Sequence, residues 1–335
     1  MIPRERRLIV FSDPGGAKPC LALASRWRRE HDLKVCSDRE YSFYDAFDVI
    51  VDRCQLADVA EILDAFKPDL LYTGTSYTSS LETRFIGIAV QRGIKTAAFV
   101  DHYTRFKDRF VYETALLLPD EVHVLDKRAR DLAIAEGIPE ARLTITGNPY
   151  HEYLTAWTPH LSRRTLFRKM RVSTPPGFAV LFAPDPITNV GGREKYGIDE
   201  GMAFELLLRA AQRVGLSATV FVKPHPNQNL DVLRRVLASV PVVSPLDVRM
   251  LAPHADEFLN DILFYSDLVV GIFSNVLAEA ELLGTQTLRI LCNLSLPDPM
   301  NGSLHGPAVF DFDGLCRELS CCKSGGGKAR TENVC

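Results

Sequence analysis

Short runs of consecutive apolar residues, each leading into a stretch of helical periodicity, recur along this chain of 335 residues. In the first half these runs are Leu8 to Phe11, Asp69 to Gly74, Lys95 to Val100, Glu121 to Leu125 and Leu143 to Thr146. Helical stretches fall at Lys18 to Glu30, Ser80 to Arg92 and Lys127 to Glu136. A strand that is apolar throughout must be covered on both faces, and a helix after each strand supplies that cover. The pattern predicts a parallel, doubly wound sheet. After Gly147-Asn148-Pro149 it lapses, and it then restarts. Strands are expected at Phe178 to Phe182, Ala218 to Val222, Val240 to Val243, Leu268 to Gly271 and Thr287 to Leu291. Helices are expected at Gly201 to Val214, Leu230 to Ala238, around Ala255 to Tyr265 and after Asn275.

The expected fold class is therefore α/β, with two Rossmann-like doubly wound domains facing across a cleft. The first domain spans residues 1–150. A linker over 151–177 holds Pro175, Pro176 and a basic cluster of Arg163, Arg164, Arg168, Lys169 and Arg171. The second domain spans 178–322. The pattern fades from Gly302, and a disordered tail is expected over 323–335, where Ser324-Gly325-Gly326-Gly327 begins.

Composition narrows the function. Hydrophobic residues make up 46% and charged residues 24%, as in ordinary globular proteins. A formal net charge of −3 argues against a nucleic-acid partner, which calls for a basic surface. The eight cysteines form no CxxC pair and have no histidines at zinc-ligand spacing, so no metal site is expected. Their scatter fits reduced thiols. No apolar run approaches the roughly 18–20 residues that span a bilayer. The run after the basic segment Met1 to Arg7 is too short for a secretory leader. A cytoplasmic protein is expected. The basic cluster, with Leu166, Phe167 and Met170 interleaved, reads as a solvated helix; a peripheral membrane surface at the inner face is the second reading.

Ligands of open α/β sheets sit outside the carboxyl ends of the strands. Lys223-Pro224-His225-Pro226 occupies such an end, and its prolines restrict the direction of the imidazole. Lys223 and His225 can donate to a phosphate oxygen; the structural alternative is a rigid loop whose histidine satisfies nearby carbonyls. Ser274-Asn275 opens a helix, either as its cap or as part of a phosphate site at the positive helix end. The helix carries Glu279 and Glu281, which cannot share a face, and Glu279 is favoured as the group that binds ribose or sugar hydroxyls. These features together outline a nucleotide-sugar site.

In the first half, Asp13, Gly15 and Gly16 form a glycine loop between strand and helix that lets a ligand approach the backbone. It is not GxGxxG, so no dinucleotide cofactor is expected. Thr75 and Ser76 lie in a hydroxyl-rich strand end that suits an acceptor or sugar, or a helix cap. Asp101 and His102, at the end of an apolar strand, are the acid–base candidates, as either a direct base or a carboxylate that orients an imidazole.

The second half resembles the donor domain of GT-B glycosyltransferases of bacterial surface-polysaccharide and capsule synthesis: the sialyl- and polysialyltransferases, Kdo transferases and teichoic acid glycerophosphotransferases. The resemblance rests on His225-Pro226 and on Ser274-Asn275, where a Ser-Ser or Ser-Thr pair is usual. It implies that His225, Ser274 and Asn275 contact the donor phosphate, and that the enzyme needs no bound metal or other cofactor. The chain also resembles the UDP-N-acetylglucosamine 2-epimerase group through Val222 to Asn227 and Ile145 to Asn148. That group's Asp-Ser-Gly-Gly turn is here replaced by Gly271 to Asn275. The first expectation is a metal-independent glycosyltransferase that moves a sugar from a cytidine- or uridine-linked donor to a glycan or lipid-linked acceptor. His225, Asp101 and His102 would be catalytic. The alternatives are a UDP-sugar 2-epimerase or hydrolase of the same fold, and a non-catalytic sugar-nucleotide-binding protein.

Overall fold

A computed structural model describes residues 4–172, 176–225, 227–252 and 257–324. The chain divides into two compact units, Met1–Ala156 and Trp157–Cys335.

The first unit runs β1 (Arg6–Phe11), α1 (Pro14–Trp27), β2 (Asp32–Ser37), β3 (Asp52–Arg53), α2 (Val59–Phe66), β4 (Leu70–Thr73), α3 (Leu81–Gln91) and β5 (Lys95–Phe99). It continues with β6 (Val111–Tyr112), β7 (Ala115–Leu116), β8 (Glu121–Val124), α4 (Lys127–Ala135), β9 (Leu143–Ile145) and α5 (Pro149–Thr155). Seven strands make one parallel sheet, β3-β2-β1-β4-β5-β8-β9. Strands β6 and β7 form a separate antiparallel hairpin. Leu8 to Phe11 are fully buried, as expected of a central strand covered on both faces.

The second unit runs α6 (Arg163–Lys169), β10 (Ala179–Ala183), α7 (Gly192–Tyr196), α8 (Glu200–Arg213), β11 (Ala218–Val222), α9 (Leu230–Ser239) and β12 (Leu246–Met250). Then follow α10 (Leu259–Tyr265), β13 (Leu268–Gly271), α11 (Asn275–Leu282), β14 (Gln286–Ile290), β15 (Ala308–Val309) and α12 (Phe312–Ser324). Its six strands are parallel in the order β12-β11-β10-β13-β14-β15. Phe182, Phe204, Val220, Val270 and Leu288 lie in one core. Each unit thus has the two-armed winding of a Rossmann-like fold. The winding reverses between β1 and β4 in the first unit and between β10 and β13 in the second, which puts a crevice at those strand ends.

Several elements depart from the sequence expectation. Strand β2 begins half exposed, so it offers no unbroken apolar run. The strand expected at Val240 to Val243 lies instead at Leu246–Met250, because the Val240 N–H donates to the Val236 carbonyl and closes α9. Asp247 and Arg249 alternate with apolar residues along β12, the pattern of a half-exposed edge strand. Beyond Gly302 the chain is ordered into β15 and α12, and α12 buries Leu315 and Leu319 as it packs on α8.

The segment 151–177 holds the end of α5, which packs on α1, and all of α6. Leu166 and Phe167 of α6 are buried, with the Phe167 ring 5.5 Å from Phe221, so these two apolar residues of the basic cluster pack into the core. Among the described residues no helix is long and apolar enough to cross a membrane. Of the tail expected over 323–335, the first two residues end α12 and the rest lie outside the described residues, as do Pro175 and Pro226.

Helix α1 starts at Pro14, not Lys18, so Gly15 and Gly16 form its first turn instead of a free loop. Proline is favoured at that position because its fixed φ suits the helix and its missing N–H costs nothing. A Cβ on Gly16 would stand 2.9 Å from the Thr75 nitrogen and 3.1 Å from the Gly74 Cα. Backbone therefore meets backbone where the loops after β1 and β4 part. Gly16→Ala is expected to lower stability by about 2 kcal/mol or more, measured by urea denaturation; unchanged stability would show that α1 can move off the β4 loop.

Candidate functional site

Each crevice is built from the loops that follow the strands beside it. In the first unit, Asp13 does not face an open loop. Its Oδ2 accepts the N–H groups of Tyr77 (2.8 Å) and Thr78 (3.3 Å), and its Oδ1 accepts the Thr78 hydroxyl. Ser76 accepts the Asp13 N–H at 2.9 Å and donates to Glu82. Ser12 donates to the other Glu82 oxygen at 3.1 Å. Glu82 is 3% exposed, and burial pushes its pKa up to about 7 against the lowering effect of the two hydroxyls.

Asp101, just past β5, joins this cluster. Its Oδ1 accepts from Arg109 Nη1 at 3.0 Å, and the same nitrogen donates to Thr75 Oγ1 at 3.0 Å. Thr75 in turn donates to the Phe99 carbonyl. The Arg109 guanidinium lies 4.3 Å from the Tyr77 ring centroid, and its buried Nε has no hydrogen-bond partner. A Cβ on Gly15 would stand 2.0 Å from Asp101 Oδ2, so only glycine leaves room for that carboxylate. The structure thus brings Asp101, Gly15, Thr75 and Ser76 into one neighbourhood. His102 sits beside them with Nδ1 3.2 Å from Thr104 Oγ1, and burial lowers its pKa to about 4. At neutral pH His102 is uncharged.

In the second unit Lys223 is buried and His225 half-buried at the end of β11. His225 Nδ1 accepts the Asn227 N–H at 3.1 Å. The neutral imidazole therefore carries its proton on Nε2, which can donate to an anion. The loop is tied down by Gln228, whose N–H donates to the His225 carbonyl (2.8 Å) and whose amide donates to Glu200. Asn189 donates to the Asn227 carbonyl at 2.7 Å.

At the start of α11, Ser274 caps the helix by accepting the Val276 N–H, and Asn275 is the first helical residue. Just before this cap, the Phe273 N–H donates to Asp185 at 2.8 Å. Glu279 is buried on α11, whereas Glu281 accepts from the Thr287 hydroxyl and from the N–H groups of His305 and Gly306 and so holds a loop in place. Among the described residues no three His, Cys, Asp or Glu side chains cluster to hold a metal ion.

Sequence reasoning missed Arg109, Asp185 and Glu200 and gave Glu82 no role. Only Asp185 had a readable signal. It is the second residue past β10 and precedes a proline, as Asp13 is the second residue past β1 and precedes Pro14.

No protein-family model matches the chain, and no curated protein does either. Solved structures do resemble it. The UDP-GlcNAc 2-epimerase of Neisseria meningitidis bound to UDP-GlcNAc has 14% identity and a TM-score of 0.65, covering 94% of this chain and 90% of that one. A putative UDP-N-acetylglucosamine 2-epimerase of Listeria monocytogenes has 16% identity and a TM-score of 0.67, with 98% and 92% covered. The Anabaena HepE protein in complex with UDP-glucose has 14% identity and a TM-score of 0.63, with 94% and 89% covered. At such identity the likeness shows the fold, two Rossmann-like units of the class expected from the sequence.

The raised Glu82 pKa has a sign that can be tested. Its unfolded value is about 4.3, so its contribution to stability is present below that pH. It is lost as pH rises and is gone above about 7, because only the unfolded state ionises freely in between. Glu82→Gln keeps both hydroxyl partners without the titration. Its melting temperature relative to wild type should rise from pH 5 and level off above about pH 7, whereas a constant difference throughout would mean that burial does not perturb Glu82.

Proposed function

We propose that this chain binds a UDP-linked sugar and changes it without a second substrate, as a 2-epimerase or hydrolase. The carrying observation is the fold likeness, over more than nine-tenths of the chain, to structures described as UDP-GlcNAc 2-epimerases. The residues of each unit suit a share of that work.

In the second unit, His225 Nε2–H and Lys223 are donors for the diphosphate, together with Ser274 and Asn275 at the positive end of α11. Glu279 is the acceptor for a ribose or sugar hydroxyl. Cleaving the sugar–phosphate bond leaves negative charge on the UDP oxygen, and a fixed donor such as His225 stabilises it as it forms. In the first unit, inversion at a sugar carbon requires that its proton leave and return. Asp101, held by Arg109 and seated on Gly15, is the group for that transfer, because its position is set before substrate arrives. Uncharged His102 is the second acid–base group within the same loop.

A second reading is the metal-independent glycosyltransferase with a glycan or lipid-linked acceptor. It is favoured by Ser274-Asn275, which stands where the epimerase group carries Asp-Ser-Gly-Gly. Both readings use the same nucleotide site, so the acceptor decides between them.

Incubation with UDP-GlcNAc alone in D2O, followed by proton NMR, is expected to give a new sugar or UDP-sugar, with deuterium at the inverted carbon if the product is an epimer. UDP-GlcNAc left intact until a glycan acceptor is added would overturn the epimerase reading in favour of the transferase. Bound but unconverted nucleotide under every condition would leave a binding protein. His225→Ala is expected to lower kcat about 10²–10³-fold with the circular dichroism spectrum unchanged.

A further inference from the structure

Asp185 lies where the second unit's winding reverses, between the arm that leads to β11 and the arm that leads to β13. Its carboxyl group spans that crevice to accept the Phe273 N–H, one of the donors that leads into α11. A phosphate placed at this helix end would meet Asp185 at once. Its chemistry therefore decides what can enter. The charged and titratable groups on the surrounding elements are Glu200 on α8, Lys223 and His225 past β11, and Glu279 on α11. Glu200 is fully buried, bonded to Thr188 and Gln228, and like-charged with Asp185.

We infer that Asp185 sets the charge of the diphosphate site. As a neutral acid it keeps its bond from the Phe273 N–H, just ahead of the Ser274 cap of α11, and donates its proton to a phosphate oxygen of a nucleoside diphosphate at the helix start. As a carboxylate it repels the ligand and competes for the same backbone donor. Burial first, and Glu200 second, raise the pKa of this carboxyl to about 7, so both forms exist near neutral pH. The device restricts the site to a ligand that tolerates an acidic neighbour, and it makes affinity fall as pH rises. This inference rests on the nucleotide-sugar reading above and adds a residue to it.

The test is calorimetric titration of the intact chain with UDP from pH 6 to pH 8.5, for wild type and Asp185→Asn, with uridine as the phosphate-free control. The asparagine oxygen can still accept the Phe273 N–H, and the melting temperature confirms folding. Because the two proteins differ only at position 185, the difference between their titrations isolates Asp185. Asp185→Asn is expected to bind UDP about tenfold or more tightly than wild type at pH 8, with the gap closing toward pH 6. Uridine should show no such difference. A gap that does not change with pH while UDP still binds overturns the role of Asp185 alone. If Asp185→Asn fails to fold, Asp185→Ser is titrated in its place and judged by the same gap. No UDP binding by wild type at any pH overturns the nucleotide-sugar reading together with this inference.

Discussion

Where the two arms of a doubly wound sheet diverge, the loops that leave the strands carry backbone N–H groups with no neighbouring strand to accept from. Leaving one buried and unbonded costs about 1–3 kcal/mol. Both units answer with an aspartate placed second after the first strand and followed by proline. Asp13 accepts the Tyr77 and Thr78 N–H groups across one crevice, and Asp185 accepts the Phe273 N–H across the other. The proline fixes φ and adds no donor of its own. The contact that closes each crevice also places an acidic group beside anything that enters it.

The first unit concentrates acids around this contact. Glu82 and Asp13 lie within a network that reaches Ser12, Ser76 and Thr78, and Asp101 is tied through Arg109 to the adjacent Thr75. The side chains of Arg109 and Asp101 are only 5% and 11% exposed. Two charges taken out of water repay the loss only when further hydrogen bonds complete the geometry, and Thr75 supplies one here. Tyr77 adds its ring face to the guanidinium. Arg109 therefore serves stability and site geometry together, since losing one partner of a buried pair typically costs about 3–5 kcal/mol.

Much of this fold is legible from residue pattern alone. Continuous apolar strands at Leu8 to Phe11 or Val269 and Val270 are visible because both faces of a central parallel strand are buried. Edge strands such as β12 escape because one face is wet and the pattern changes to alternation. His225, Ser274 and Asp101 are legible as candidate site residues because each follows an apolar run, where ligands of such sheets bind. Arg109 is not, because it lies in a single short turn, Asp108–Phe110, among other basic residues and gains meaning only from Asp101 and Thr75.

Local periodicity of 2 or 3.6 residues was enough to determine two parallel α/β units and the loops that carry polar groups, since burial of a strand or helix face is written within a dozen neighbouring residues. What each polar group is used for was decided by tertiary structure. Ser12 meets Glu82 across 70 residues of chain, and Phe273 meets Asp185 across 88. Such pairings depend on which strands lie side by side. The same physics that makes sheet order a long-range property therefore separates Glu281, spent on holding a loop, from the buried Glu279 two residues before it.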